Sequence, residues 1–367
     1  MRVAIIGTGL VGGSLGLALR KHAAQAVERV VGYDAAQDAA AQAAERDVVH
    51  DWAATPRDAV ADADVVFLAV PVSEIPRMAE EVGPAMRQGA ILTDVGSVKG
   101  GLVDAMQRAV PDGVHVIGGH PMAGSAETGA AHASPDLFVG ATYLLTPTTH
   151  TDPVAYQRLH GLVAALGARV LAVGPDRHDL LVAVVSHLPQ LAASTLMNLA
   201  AERARSEHAG LLLLAAGGFR DATRVAASNP DLWLDICAEN RDAIVAVLAD
   251  YEERVRALRA VLQGADDDGL RRLLSQARDA RRTLPGKETP AGELVELSLP
   301  IPDRPGVLAE VTTTVGGAGV NIEDFGIEHS PEGGRGRLRM AILGAAQAEL
   351  ARQALEARGY EVSELSS

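Results

Sequence analysis

The chain has 367 residues, of which 48% are hydrophobic and 22% are charged. A chain of this length and composition is expected to form two or three domains with a sizeable core, which excludes a single small module and wholesale disorder. The net charge of -14 repels nucleic-acid phosphates and anionic lipid headgroups, so neither nucleic acid nor a membrane is expected as a partner. The single cysteine, Cys237, excludes an intrachain disulfide and a thiolate metal cage. We therefore expect a cytoplasmic protein without a metal site.

The first third of the chain alternates short apolar runs with segments of helical period. Strands are predicted at residues 2–6, 30–33, 65–70, 90–94 and 114–117. Continuous runs of Val, Ile and Leu separated by helices are typical of a parallel sheet that is covered on both faces. The sequence therefore predicts a Rossmann-like, doubly wound α/β domain over residues 1–151.

The pattern becomes helical from residue 152 to residue 284, with long runs at 179–205 and 231–262. Pro189 lies in the first run and has no N–H to donate, so it should kink the helix within a turn of His187. Residues 284–292 are rich in Pro and Gly and predict a linker. Residues 293–367 follow the order β-α-β-β-α-β, which predicts a ferredoxin-like α+β domain after an all-α middle domain.

A glycine-rich turn joins the first predicted strand to the helix after it. The turn allows a pyrophosphate to approach the helix N-terminus, where free N–H groups and the helix dipole favour an anion. The residues predicted to bind it are Gly7, Gly9, Leu10, Val11 and Gly12. Asp34 ends the second strand, where a carboxylate would bind ribose hydroxyls and repel a 2′-phosphate, so NAD is favoured over NADP. A purely structural turn, and a helix cap formed by Asp34, are the alternatives.

Polar residues cluster in three later segments. Residues 93–100 follow a strand at the edge where doubly wound sheets bind ligands. Residues 118–125 form a glycine-rich loop after another strand, and this location favours a functional role for His120 over a structural one. The helical region contributes residues 186–190, residues 217–224 and Trp233.

Together these segments resemble the prephenate dehydrogenase family, which also includes arogenate and cyclohexadienyl dehydrogenases. The resemblance covers residues 1–284 and is carried by the strings at 94–100, 119–125, 186–189 and 217–224. Residues 295–365 resemble an ACT domain, a regulatory module that binds amino acids and often lies at a dimer interface. Its motifs are Asp303-Arg304-Pro305-Gly306-Val307-Leu308 and Gly319-Val320-Asn321-Ile322.

The resemblance implies the NAD-dependent oxidative decarboxylation of prephenate to 4-hydroxyphenylpyruvate in tyrosine biosynthesis. In this reaction a hydride leaves the ring carbon that bears the 4-hydroxyl, and the ring carboxylate leaves as CO2. His120 would bind the hydroxyl and take its proton, Ser97 would orient that histidine and the hydroxyl, and Arg224 would bind a substrate carboxylate. Arogenate, which would give tyrosine directly, is the alternative substrate.

Three further roles follow from the same resemblance. His187 would lie near the substrate, Asp221 would hold neighbouring basic groups, and Trp233 would pack beside the site. An ordinary ion pair and an ordinary core aromatic are equal alternatives for the last two residues. Lys99 and Arg220 could contact substrate or phosphate, or could be solvated charges.

The sequence departs from the family at two places. Many members carry Glu where this chain has Ala126, and here Glu127 follows one residue later, which puts its gating role in doubt. Gln190 replaces the last His of a frequent Ser-His-Leu-Pro-His string, so an imidazole that could charge becomes a neutral amide.

Regulation and assembly also follow from the resemblance. The residues expected to bind an effector, either tyrosine or phenylalanine, are Pro305, Gly306, Val307, Leu308 and Asn321. A module that only aids dimerisation is the alternative, and we expect a homodimer in either case. Two rival functions stay open: a dehydrogenase for a small hydroxy acid, which would rely on a lysine in the helical domain, and a non-catalytic sensor of NAD and amino acids.

Overall fold

The computed structural model describes residues 1–124, 129–208, 210–283, 294–302, 307–320, 322, 324–329 and 335–365. These residues form two compact units, Met1–Leu270 and Arg271–Ser367. The predicted linker at residues 284–292 lies outside the described residues.

A parallel sheet forms the centre of the first unit, with the strand order β3-β2-β1-β4-β5-β6. Its strands are β1 Arg2–Ile6, β2 Arg29–Tyr33, β3 Asp51–Trp52, β4 Val65–Leu68, β5 Ile91–Asp94 and β6 His115–Val116. Its helices are α1 Leu10–His22, α2 Gln37–Glu45, α3 Pro56–Val60, α4 Ile75–Val82 and α5 Gly100–Ala109. The predicted Rossmann-like sheet is confirmed, and the strand order reverses between β1 and β4, where such sheets bind ligands.

Apolar cores cover both faces of this sheet because successive side chains of a strand point to opposite sides. On β1, Val3 and Ile5 belong to the core beneath α1, whereas Ala4 and Ile6 belong to the core beneath α3, α4 and α5. This two-sided burial explains why the strands read as continuous apolar runs.

A second sheet, with the order β7-β8-β9, carries His120. Its strands are β7 Gly118–Pro121, β8 Thr142–Thr146 and β9 Arg169–Ala172, and helix α6 spans Pro153–Ala165. The prediction that His120 lies in a loop was wrong, because β7 pairs antiparallel with β8 and places His120 opposite Leu144. Helix α6 contributes Leu159 and Val163 to the core beneath α1. The boundary placed after residue 151 stays a prediction.

The rest of the first unit is helical, as predicted. It contains α7 Pro175–Val182, a π-helical turn Ala183–His187, α8 Leu188–Ser206, α9 Gly217–Thr223, α10 Pro230–Glu239 and α11 Arg241–Gln263. Helix α12, Asp267–Arg282, begins in the first unit and ends in the second. The π-helical turn ends two residues before Pro189, where the missing N–H was expected to disturb the helix. The run at residues 231–262 is divided at Asn240, whose side chain is buried.

Within the described part of the chain, one helical stretch, Pro175–Ser206, is long and apolar enough to cross a membrane. Its most apolar window has a mean hydropathy of 1.6, and 28% of that window is buried. The stretch also carries His178, His187 and Gln190, which are buried against the rest of the unit. Buried polar side chains are typical of a helix that packs in the core of a folded domain, and the rest of this stretch leaves an apolar face uncovered.

The second unit has the predicted β-α-β-β-α-β order. Its elements are β10 Leu294–Pro302, α13 Val307–Gly317, β11 Asp324–His329, β12 Arg335–Leu343, α14 Ala345–Glu356 and β13 Ser363–Leu365. The strands form an antiparallel sheet in the order β11-β12-β10-β13. Val311 and Val315 of α13 and Leu355 of α14 pack on Leu297 and Leu299 of β10 to form its core.

Candidate active site

The geometry of the glycine-rich turn requires glycine at two of its three glycine positions. Gly7 has a φ of +94°, and a Cβ there would overlap the carbonyl oxygen of Ala69. A Cβ on Gly12 would overlap the carbonyl oxygen of Gly7, whereas Gly9 has open space around it. Helix α1 begins at Leu10, directly after a residue with no side chain to cap it. The turn therefore offers space and backbone N–H groups to an anion.

Asp34 is held beside this turn by three hydrogen bonds. Its Oδ2 accepts from the backbone N–H of Thr8 at 2.7 Å and from the Thr8 hydroxyl at 3.0 Å. Its Oδ1 accepts from the backbone N–H of Ala36 at 2.9 Å. The N-cap of α2 is Ala36 and not Asp34, so the helix-cap alternative is not what the structure has. The carboxylate of Asp34 is therefore fixed beside the glycine-rich turn.

Lys99 and Asp94 form a fully buried ion pair at the carboxyl end of β5. Lys99 Nζ donates to Asp94 Oδ2 at 2.5 Å and to the carbonyl oxygens of Gly96 and Val98 at 2.8 and 2.9 Å. Burial lowers the pKa of Lys99, and the carboxylate of Asp94 opposes that shift. Lys99 is therefore a buried structural cation and not a solvated charge.

The Ser97 hydroxyl is buried and has no hydrogen-bond partner among the described residues. The same holds for Thr93 on β5 and for Tyr143 and Thr146 on β8. Buried hydroxyls in folded proteins nearly always have a partner. The Ser97 hydroxyl, in the loop after β5, is therefore available to a polar ligand.

His120 is 9% exposed, and its imidazole is hydrogen-bonded to a second imidazole. His120 Nδ1 lies 2.9 Å from His178 Nε2, and His178 Nδ1 lies 2.8 Å from Asp179 Oδ1. Burial, reinforced by Lys99, His178 and His187, holds the pKa of His120 well below its usual range. The ring is therefore neutral at pH 7 and can accept a proton.

His187 lies on the π-helical turn and is also buried. Its Nδ1 lies 3.2 Å from Asn240 Nδ2, which also donates to the backbone carbonyl of Asp179 at 2.9 Å. Burial lowers the pKa of His187 to about 4. Trp233 packs edge-on against the ring, with the centroids 5.8 Å apart. Asn240 thus donates to Nδ1 of His187, which leaves the ring's hydrogen on Nε2.

Some of the predicted site residues lie close to one another in the structure, and others do not. His187 and Trp233 are in contact, and His187 is close enough to His120 to affect its pKa. Arg224 and Asp221 are exposed in the helical part, and Arg224 has no ion pair with the residues described. Gln190 is buried and accepts a hydrogen bond of 3.4 Å from Ser228, beside the turn that carries Arg224. Glu127 lies outside the described residues.

Sequence analysis missed three polar residues of this group: His178, Asp179 and Asn240. Each is hydrogen-bonded to a predicted site histidine or to a neighbour of one. The sequence signals were weak, because a His-Asp pair at the start of an apolar helix and an Asn within one are both common surface patterns.

Fold and site together define the class of nucleotide-dependent dehydrogenases that combine a Rossmann-like domain with a helical domain. Family models refine this class. The nucleotide-binding domain of prephenate dehydrogenase matches residues 15–172, the dimerization domain of prephenate dehydrogenase matches residues 174–276, and the ACT domain matches residues 296–359. The chain belongs to the prephenate dehydrogenase family, as its motifs predicted.

Individual relatives agree with this assignment. A prephenate dehydrogenase of Bacillus subtilis is 33% identical over 98% of this chain and 97% of its own length. The crystal structure of Synechocystis arogenate dehydrogenase has a TM-score of 0.68 and 32% identity, covering 77% of this chain and 99% of that one. The structure of prephenate dehydrogenase from A. aeolicus in complex with hydroxyphenyl propionate and NAD+ has a TM-score of 0.71 and 27% identity, covering 77% and 97%.

Proposed function

We propose that this protein is an NAD-dependent prephenate dehydrogenase that converts prephenate to 4-hydroxyphenylpyruvate and CO2. The observation that carries the proposal is the neutral, buried imidazole of His120 on β7, next to Gly119, whose N–H donates to Asp94 at the carboxyl end of β5. The relatives support the substrate class, because the Bacillus subtilis protein bears this name and the A. aeolicus enzyme was crystallised with NAD+ and a hydroxyphenyl ligand.

NAD+, when bound, supplies the hydride acceptor. The residues of this chain bind the cofactor and the substrate and accept the hydroxyl proton. The amides after Gly9 bind the pyrophosphate, and Asp34 binds the ribose. His120 accepts the proton of the 4-hydroxyl, and the unpaired Ser97 hydroxyl bonds that same group. Arg224 binds a carboxylate of the substrate, for which a planar guanidinium is suited.

Two observations weigh against the rival functions. A hydroxy-acid dehydrogenase would need a lysine in the helical domain, and residues 152–284 contain none. A non-catalytic sensor would not need a buried neutral base at the edge of the nucleotide site. Arogenate stays the alternative substrate, since it differs from prephenate by an amino group in place of a keto group on the side chain.

Steady-state kinetics with both substrates and both cofactors test the function. Reduction of NAD+ is followed by absorbance over a range of substrate concentrations. We expect turnover with prephenate and NAD+ and far slower turnover with NADP+. A higher kcat/KM with arogenate would reassign the substrate, and an absence of turnover with either would favour the sensor.

We propose a homodimer formed through the helical domain. Leu213 and Leu214 are 88% and 81% exposed, and Val185 and Leu199 on the apolar helices are also exposed. Apolar surface of this extent is typical of a protein interface. Light scattering should give twice the chain mass, and Leu213→Asp together with Leu214→Asp should shift the protein toward monomer. A monomeric wild type would refute the homodimer.

We also propose that tyrosine or phenylalanine regulates the enzyme through the ACT domain, and that the enzyme works in the cytoplasm. Of the residues expected to bind the effector, Pro305, Gly306 and Asn321 lie outside the described residues, and Leu308 lies in α13. Val307 is buried in the core of the second unit, so it would contribute through its backbone. An effector should change kcat/KM or the melting temperature at millimolar concentration, and no change with either amino acid would refute sensing.

The division into domains stays a proposal. We place the end of the nucleotide-binding domain near residue 172 instead of 151, because α6 packs in the core beneath α1 and β9 pairs with β8. The helical domain would then end near residue 284, and the ACT domain would span residues 293–367.

A further inference from the structure

We propose that His178 and Asp179 are positioning residues that fix the tautomer of His120, so that its Nε2 is the atom that accepts the substrate proton. The inference rests on the proposed function for its catalytic meaning. Its structural basis is a chain of hydrogen bonds that runs from β7 to the start of the helical domain.

The chain begins at Asp179, whose carboxylate is held by backbone donors. Its Oδ1 accepts from the N–H of Lys99 at 2.8 Å, and its Oδ2 accepts from the N–H of Gly100 at 2.7 Å. Burial raises the pKa of Asp179, but the hydrogen bonds from His178, Gly100 and Lys99 outweigh it and lower the pKa overall. Because backbone amides can only donate, both carboxylate oxygens act as acceptors. These bonds also cap the N-terminus of α5.

The direction of the remaining hydrogen bonds follows from this carboxylate. An ionised carboxylate has no hydrogen to give, so Nδ1 of His178 carries the hydrogen of the 2.8 Å bond. With that hydrogen on Nδ1, the neutral form of His178 has its lone pair on Nε2 and accepts from Nδ1 of His120 across 2.9 Å. The lone pair of His120 is therefore on Nε2.

The other polar groups near His120 are consistent with this assignment. Lys99, on the loop after β5, is bonded to Asp94 and to carbonyl oxygens, so its hydrogens are already used. His187, on the π-helical turn, has the opposite tautomer because Asn240 donates to its Nδ1. His120 thus has a hydrogen-bond acceptor at Nε2, whereas His187 has a donor at Nε2.

The proton step balances with these groups. The O–H bond of the substrate hydroxyl breaks, an N–H bond forms at Nε2 of His120, and the ring becomes an imidazolium. Its Nδ1–H still donates to His178, and the charge is compensated by Asp179 two hydrogen bonds away. The proton is released to solvent after the product leaves.

Histidine side-chain ¹⁵N spectra of the full-length protein without ligands test the tautomer without any assay of activity. The His120 signals are assigned by their loss in His120→Asn. We expect the Nδ1–H form of His120 in the wild type and its loss as the dominant form in His178→Leu. An Nε2–H form of His120 in the wild type, or an unchanged tautomer in His178→Leu, would overturn the proposal.

Kinetics of the same variants test the catalytic meaning. His178→Leu should lower kcat roughly 10- to 100-fold, less than loss of the general base itself, and leave the KM for NAD+ unchanged. The acidic limb of its pH profile should move to lower pH, because no acceptor stabilises the His120 imidazolium. His178→Gln offers Oε1 to Nδ1 of His120 and should restore most of kcat and the position of that limb. His160→Gln, on α6, is the control.

Equal behaviour of the Leu and Gln variants would refute a positioning role. If His178→Leu does not fold, His178→Asn replaces it, since Asn can still donate to Asp179 but is too short to reach His120. An inactive wild type with the expected tautomer would refute the proposed function and leave the structural inference standing.

Discussion

The ammonium group of Lys99 lies 2.5 Å from Oδ2 of Asp94, and neither side chain is exposed to solvent. Asp94 also accepts from the backbone N–H groups of Gly96 and Gly119, at 2.8 and 3.1 Å. This buried pair therefore joins the loop that carries Ser97 to the strand that carries His120. The ion pair therefore helps to set the distance between these two segments.

Replacing Lys99 with Met should lower the free energy of unfolding by about 3–5 kcal/mol, because a buried carboxylate is left without its partner. Denaturant unfolding measures the change. Lys21→Met is the matched control, since Lys21 pairs with Asp136 at 2.8 Å with both side chains about half exposed, and it should change stability little. Equal losses in the two variants would contradict the importance of burial.

Acid should destabilise the protein through its buried histidines. Burial lowers the pKa of His187 to about 4, whereas an unfolded histidine titrates near ~6.5. Between these values the unfolded state binds more protons, so stability is lost as the pH falls from about 6.5 toward 4. In His187→Gln the loss of unfolding free energy between pH 6.5 and pH 5 should shrink by about 1.5 kcal/mol. Parallel stability curves for wild type and variant would show that His187 does not titrate in this way.

Replacing His120 with Asn should lower kcat by roughly 10² to 10⁴ and leave the affinity for NAD+ and the melting temperature nearly unchanged. The physical reason is that the amide cannot take up the hydroxyl proton. Its nitrogen can still replace Nδ1 of His120 as the donor to His178, and the strand pairing of β7 uses only the backbone. Stopped-flow and steady-state assays measure the rate, and NAD+ titration measures the affinity. A wild-type rate in this variant would remove His120 from the reaction.

Replacing Asp34 with Ala should weaken NAD+ binding and raise the relative use of NADP+. The carboxylate that would bind the ribose hydroxyls and repel a 2′-phosphate is then absent. Titration with both cofactors measures the ratio of dissociation constants, and the melting temperature reports the loss of the Thr8 contacts separately. An unchanged ratio would mean that Asp34 only holds the glycine-rich turn.

Replacing Arg224 with Ala should raise the KM for the substrate roughly 10- to 100-fold with a smaller effect on kcat, because a charge-assisted hydrogen bond is lost. Arg220→Ala is the matched control. Arg220 is an exposed arginine one turn earlier, and its Nε donates to the carbonyl oxygen of Ala215 at 3.1 Å. Equal KM values for the two variants would place the carboxylate elsewhere.

The sequence by itself determined the architecture and the nucleotide turn of this protein. The strands of the first sheet are buried on both faces, so they appear as unbroken apolar runs, and the β-α-β-β-α-β order of residues 294–365 follows from periodicity. The placement of Gly7, Gly12 and Asp34 at one turn could be predicted because the strand, the turn and the helix that form it are adjacent in the chain.

The tertiary structure alone decided which polar groups meet. His120 and His178 are hydrogen-bonded although 58 residues separate them, and Asn240 reaches His187 from a helix break 53 residues away. The sequence left open whether Lys99 contacts a ligand or solvent, and the structure shows that it is the buried partner of Asp94. Hydrogen bonds between distant segments leave no periodic trace in a sequence, because they arise only once the apolar cores have set where each element lies.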